Sequence, residues 1–248
     1  NTASGFEALT SNTEGSNNTA FGAKALNSNM EGTFNTASGA YTLENNTTGT
    51  QNTASGAYAL QNNISGFYNT ASGAEALQSN KTGEHNTASG YRALYQNTSG
   101  KYNTASGYKA LSNNTIGSNN TALGYQTETS TDNPTNQTVI GYNATGQDDN
   151  SVTLGNSEVT AVYMGEDSGA TVYAGAANFS GDMTINGDVV VASDARLKAN
   201  IVSLGATSAK LLLIDGKTYT MKRNGKQKIG LLAQNIQEVF PELVSEDD

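Results

Sequence analysis

Apolar positions in the first half of the chain are few and evenly phased. Ala3 is followed six residues later by Leu9, and the pair returns 17 residues on as Ala20 and Leu26, then Ala37 and Leu43, continuing to Ala105 and Leu111. The polar positions keep the same phase. A run of the form Asn-Thr-Ala-Ser-Gly starts at residue 1 and again at 18, 35, 52, 69, 86, 103 and 120. A fixed period of this size marks a stacked-repeat architecture, in which each unit buries its apolar atoms against the next one.

The consensus predicts the elements of one coil. Asn-Thr-Ala-Ser reads as a short strand that ends at Gly5, Gly22, Gly39 and their equivalents, where glycine allows the backbone to turn through positive φ or to stack closely on its neighbour. A second short segment ends at the leucine. Asn12 and Gly15, repeated as Asn29 and Gly32 and onward to Asn114 and Gly117, are turn chemistry. Two short strands and two turns per coil predict a narrow parallel β-roll.

Stacking places equivalent side chains in columns about 4.8 Å apart, so eight coils would rise on the order of 40 Å. The alanine and leucine columns are the only apolar ones that persist, and they are assigned to the interior. Small alanines suit a roll too thin for aromatic rows. Asparagine columns can bond up the stack as amide ladders. Aromatic residues fall in variable slots: Phe6, Tyr41, Tyr58, Tyr68, Tyr91, Tyr95, Tyr102, Tyr108 and Tyr125. They offer either a stacking surface for carbohydrate or packing between coils or at a subunit seam, and the second is favoured because sugar sites need polar partners as well.

Composition narrows the function classes. Hydrophobic residues make up 35% and charged residues 14%, as expected where stacked like charges would repel. Thirteen Lys and Arg against 22 Asp and Glu give a net charge of −9, which disfavours a nucleic-acid partner. No apolar run approaches the roughly 20 residues that span a bilayer, so membrane insertion is not expected. With no cysteine there is neither a disulfide framework nor a thiolate metal site, and the stability of a rod must come from assembly.

After Tyr125 the consensus lapses through QTETSTDNPTNQ, with a turn at Asp132-Asn133-Pro134. The residues divide the chain into 1–131, the 17-residue repeats; 132–157; 158–192, a β-rich stalk; and 193–248. In TVIGYNATGQDDNSVTLGN, Gly141 and Gly155 each follow an apolar strand, 14 residues apart. This stretch resembles the head repeats of YadA-like trimeric autotransporter adhesins. The resemblance implies a left-handed parallel β-roll assembled as a parallel homotrimer, with the 17-residue repeats an elongated relative of the same coil.

From Ser193 the character changes. Asp194 reads as the N-cap of a helix over ARLKANI, KTYTMK and QKIG flank a hairpin turn at Arg223-Asn224-Gly225-Lys226, and GLLAQNIQEVF has helical spacing up to Pro241. The run Ser193-Asp194-Ala195-Arg196-Leu197-Lys198-Ala199-Asn200-Ile201, with Gly230-Leu231-Leu232-Ala233-Gln234 and Val239-Phe240-Pro241-Glu242-Leu243-Val244, resembles the peptidase S74 family. These are C-terminal intramolecular chaperones of endosialidases, phage tail fibres and spikes, so a small α+β domain is expected here.

That resemblance implies a chemistry. Family members trimerise through this domain and often cut themselves off before the motif serine, which makes Ser193 the nucleophile, Lys198 the base and Ala192–Ser193 the scissile bond. A desolvated neutral lysine can take the hydroxyl proton, and helix N-terminal amides beside Ser193 can hold the oxyanion. Positions five apart do not share a helical face, so either Ser193 lies outside the helix or Lys198 comes from a neighbouring chain. On residues alone, Ser193-Asp194 reads as a helix cap with Lys198 solvated.

Other constellations are weaker. His85, the single histidine, could form a ring of three in a trimer but reads as an exposed side chain. Asp148-Asp149 and Glu166-Asp167 lack the spacing of a calcium loop. No paired carboxylates recur as a glycosidase would need, and no cofactor or metal is expected. The expected function is a trimeric tail fibre or spike of a phage or phage-like particle, located on the virion. It would bind a cell-surface glycan or other host receptor and join other fibre or baseplate proteins upstream; a bacterial surface adhesin built from the same parts is the alternative.

Overall fold

The computed structural model describes residues 1–162 and, as backbone, two strands further on, Lys217–Thr220 and Gln227–Gly230. Ten three-residue strands form one parallel sheet: β1 Thr2–Ser4, β2 Thr19–Phe21, β3 Thr36–Ser38, β4 Thr53–Ser55, β5 Thr70–Ser72, β6 Thr87–Ser89, β7 Thr104–Ser106, β8 Thr121–Leu123, β9 Thr138–Ile140 and β10 Val152–Leu154. They pair strictly in chain order. Thr2 faces Thr19, Ala3 faces Ala20, and the same registration repeats coil by coil. The mainly β, all-parallel solenoid expected from the period is therefore what forms.

The 17-residue step runs one coil further than the consensus, since Thr121 pairs with Thr138 across the divergent stretch. Only the step to β10 is shorter, with Thr138 opposite Val152. Backbone pairing tolerates the loss of the side-chain pattern here because each coil is held by main-chain bonds, such as Thr121 N–H to the Gln137 carbonyl at 2.8 Å.

One expectation changes. The segment from glycine to leucine is not a second strand. Its residues alternate hand, with φ of 138° at Gly5, 57° at Glu7 and 53° at Leu9, and the pattern recurs in every full coil. Neighbouring coils still bond through it: Lys24 N–H donates to the Phe6 carbonyl at 2.7 Å and Leu26 N–H to the Thr42 carbonyl at 3.0 Å. A left-handed leucine costs about 1–2 kcal/mol. The tight turn is held because it points the leucine inward and keeps the inter-coil ladder complete.

The leucine and alanine columns do line the interior: Leu26, Leu43, Leu60, Leu77, Leu94 and Leu111 are fully buried, as are Ala20 through Ala122. A third column, not anticipated as core, joins them at Ala25, Thr42, Ala59, Ala76, Ala93 and Ala110. Two small residues and one leucine per coil are a thin core, and two buried asparagine columns complete it. Asn63 Nδ2 donates to Asn46 Oδ1 at 2.7 Å and Asn80 Nδ2 to Asn63 Oδ1 at 2.7 Å. In the other column Asn35 N–H donates to Asn18 Oδ1 at 2.9 Å, closing a gap in the backbone ladder. Gly32 ties the columns together: its carbonyl accepts Asn18 Nδ2 at 2.7 Å and Asn29 Nδ2 at 3.0 Å. A Cβ on Gly32 would lie 2.3 Å from Asn29 Oδ1, so no larger residue fits. The expected amide ladders are thus present and satisfy polar groups that burial would otherwise penalise.

Further along, β11 (Lys217–Thr220) pairs antiparallel with β12 (Gln227–Gly230), with Lys217 opposite Gly230 and Thr220 opposite Gln227. This is the hairpin predicted around Arg223–Lys226. The helices predicted over ARLKANI and GLLAQNIQEVF, and residues 163–192 of the stalk expected over 158–192, lie outside the described residues.

Candidate functional site

The variable slots carry the surface chemistry, and stacking turns them into ladders. Tyr91, Tyr108, Tyr125 and Tyr142 lie face to face, with ring centroids 5.4, 5.0 and 5.2 Å apart. Tyr68, His85 and Tyr102 form a second stack at 4.9 and 5.0 Å, with Phe67 edge-on to Tyr68 and His85. Tyr41 and Tyr58 make a third at 5.0 Å. Rings this close cover one another's faces, so no sugar can slide between them. Packing between coils is what these tyrosines do, and only their outer edges and the terminal faces meet solvent.

Cations flank the ladders. The Arg92 guanidinium lies 5.1 Å from the Tyr91 ring and 5.0 Å from Tyr95, while its Nε donates to Glu75 Oε2 at 2.7 Å. That bond raises the Arg92 pKa above its ordinary value. Lys109 sits 5.5 Å from Tyr108 and Lys24 5.7 Å from Tyr41. Lys101 bonds Glu84 one coil earlier, which likewise raises the lysine pKa. Opposite charges in adjacent coils of one column avoid the repulsion that a run of like charge would bring.

Glu128 stands where the leucine column would continue after Leu111. Its carboxylate accepts Ser112 Oγ–H at 2.6 Å and Ser112 N–H at 2.9 Å. Burial raises its pKa, and the bonds from Ser112 and Asn113 oppose that shift. Nothing in the repeat consensus signals this substitution except its position.

The other sequence candidates fall as follows. Asp149 accepts Thr135 N–H at 2.8 Å, so it serves as a turn cap. Among the described residues no three His, Cys, Asp or Glu side chains group as metal ligands. His85 belongs to the second ring stack. Ala192, Ser193, Lys198, Glu166 and Asp167 lie outside the described residues. Two open polar hollows sit near the last coils, one lined by Asn143, Gln147, Thr153 and Asn156, the other by Ser130, Gln147, Asp148 and Asp149. In the second, Gln137 Nε2 donates to Ser130 Oγ at 2.7 Å and to Asp149 Oδ1 at 3.3 Å. Sequence reasoning missed the ladders as ladders, although tyrosines 17 residues apart were the available signal.

The described residues thus form a thin parallel solenoid whose outer columns are stacked rings and ion pairs. Residues 193–245 match the family model Peptidase_S74, described as chaperone of endosialidase. Over 68 residues the chain is 44% identical to the Long tail fiber protein Gp37 of Escherichia phage AR1, covering 24% of this chain and 6% of that protein. The chain thus spans a small fraction of the relative's length. No solved structure matches the chain. Together the matches and the solenoid support a phage tail fibre that carries an S74 chaperone segment. Among the described residues no helix is long and apolar enough to cross a membrane.

Proposed function

We propose that the chain is the distal, receptor-presenting part of a homotrimeric phage tail fibre, whose S74 segment brings three copies into register during folding and is then released. The observation that carries this reading is the S74 match at 193–245 on the C-terminal side of a repeat array whose last paired strand is Val152–Leu154. Such an array can nucleate at any coil, and chains aligned one coil out of step would present nearly the same contacts. A separate trimerising segment removes that ambiguity.

Release follows from the motif residues. Ser193 Oγ attacks the Ala192 carbonyl carbon while the neutral Lys198 amine takes the hydroxyl proton. The C–N bond then breaks, the proton passes to the departing Ser193 amine, and water hydrolyses the ester left behind. On the virion, the solenoid holds its outer columns towards a host surface, where a glycan would meet the tyrosine hydroxyls and the flanking Arg92 and Lys109.

The test is mass spectrometry and light scattering of the full-length protein. A solution mass three times that of the chain, with a fragment starting at Ser193 that vanishes in Ser193→Ala, is expected. A monomer defeats the trimer, and a fragment persisting in Ser193→Ala defeats the dyad.

A further inference from the structure

The outward positions of the sheet change character along the stack. In β3 to β7 they are threonine and serine throughout, as in Thr70 and Ser72. From β8 they turn apolar: Ser106 is followed in register by Leu123, Ile140 and Leu154. Leu123 is 50% exposed, Ile140 37% and Leu154 45%, and Val152 beside them is 68% exposed. Tyr125 and Tyr142 lie two residues beyond Leu123 and Ile140, with Tyr142 61% exposed. Phe21 is the sole earlier apolar residue in the Leu123 column, between Ser4 and Ser38.

We propose that the outer face of coils 8 to 10 is where copies of this chain meet one another, and that the threonine–serine face of coils 3 to 7 stays free. The proposal rests on the trimeric reading above and gives it a location. Leu123, Ile140, Val152, Leu154 and the two tyrosines leave on the order of 500 Å² of apolar surface bare, the scale of the largest and often functional patch on a typical monomer. That area suits the apolar centre of a contact burying roughly 800 Å² per partner.

Charge permits a second copy here. Each copy carries a net charge of −9, and a face without carboxylates adds no local repulsion when two copies meet. The outward residues of β8 to β10 are Thr121, Leu123, Thr138, Ile140, Val152 and Leu154, and none is ionisable. A glycan is a poor fit to Leu123, Ile140, Val152 and Leu154, whose branched aliphatic side chains give its hydroxyls no hydrogen-bond partner. A threefold axis that runs along the stack close to this face brings its apolar columns near their equivalents in the other two copies, while columns further from the axis meet different ones.

The absence of cysteine makes the test direct. In the full 248-residue chain, single substitutions Ile140→Cys, Leu154→Cys and, on the same face five coils in, Ser72→Cys are each treated with a short bis-maleimide. Denaturing gels are then read beside light scattering of the untreated protein. Cross-linked dimer from Ile140→Cys and Leu154→Cys, and its loss in Ser72→Cys, is expected. An oligomer that cross-links at neither 140 nor 154, or equally at 72, overturns the location while leaving the trimer standing. A monomer overturns both. Cysteines that resist alkylation yet never cross-link mean that the chain's own later segment covers the face, which also overturns the proposal.

Discussion

Asn80 Nδ2 reaches Asn63 Oδ1, one coil earlier, at 2.7 Å, while Asn63 makes the same bond to Asn46. Asn63 Nδ2 also donates to its own Gly66 carbonyl at 3.0 Å. Asn63→Ala therefore strands buried groups on both neighbours, and a loss of about 2–4 kcal/mol is expected from a denaturant titration. Asn62→Ala, on the exposed neighbour that accepts a single bond from Asn45, is expected to change stability by less than about 1 kcal/mol.

Leu77 fills the core between Leu60 and Leu94 of the adjacent coils, with Ala71 and Ala76 the other buried apolar residues of its coil, so its truncation leaves a void that the stiff coils cannot close. Leu77→Ala is expected to cost about 2–5 kcal/mol in the same titration. An equal effect from the exposed Tyr58→Ala would contradict the assignment of the leucines to the interior.

Glu128 offers a pH test. Its folded-state pKa lies above its unfolded value because of burial, so folding favours the protonated form. The cost of ionising it is absent below the unfolded pKa and sets in as pH rises through the interval up to the folded one. Glu128→Gln keeps an acceptor for Ser112 and removes the charge. The variant should melt above the wild type at neutral pH, and the two curves should converge under acid conditions. A variant less stable than wild type at every pH would show that the bonds from Ser112 outweigh desolvation.

Gln51 holds φ at 55° and is exposed, in a column where Asn17, Asn119 and Asn136 share the left-handed conformation. Asparagine tolerates that region better than glutamine does. Gln51→Asn should raise the melting temperature, by a gain of up to about 1 kcal/mol, and calorimetry reads it.

The parallel stack, the buried leucines and alanines and the amide ladders were legible because one period repeats them in phase. The turn from Gly5 to Leu9 was not. A left-handed leucine runs against local preference, and only the bonds to adjacent coils, invisible in a single repeat, stabilise it. The third core column was hidden for a related reason: alanine and threonine at Ala25 and Thr42 read as neutral until the alternating backbone turns them inward. Coils around Val139-Ile140 and Val152-Leu154 were legible from their glycines, but the 17-residue step from Thr121 to Thr138 was obscured because Thr138 keeps its registration through main-chain bonds while the residues between lose their signature. The chemistry assigned to Ser193 and Lys198 rests on motif resemblance alone.

Registration in equal steps has a mechanical corollary. The top of each coil offers the same carbonyls, amides and methyl groups as the top of the one before, so a whole unit can be spliced in or removed and both cut surfaces still match. Reach then becomes a discrete variable, changed by about 4.8 Å per unit, and a lineage can tune how far its tip extends without devising a single new contact.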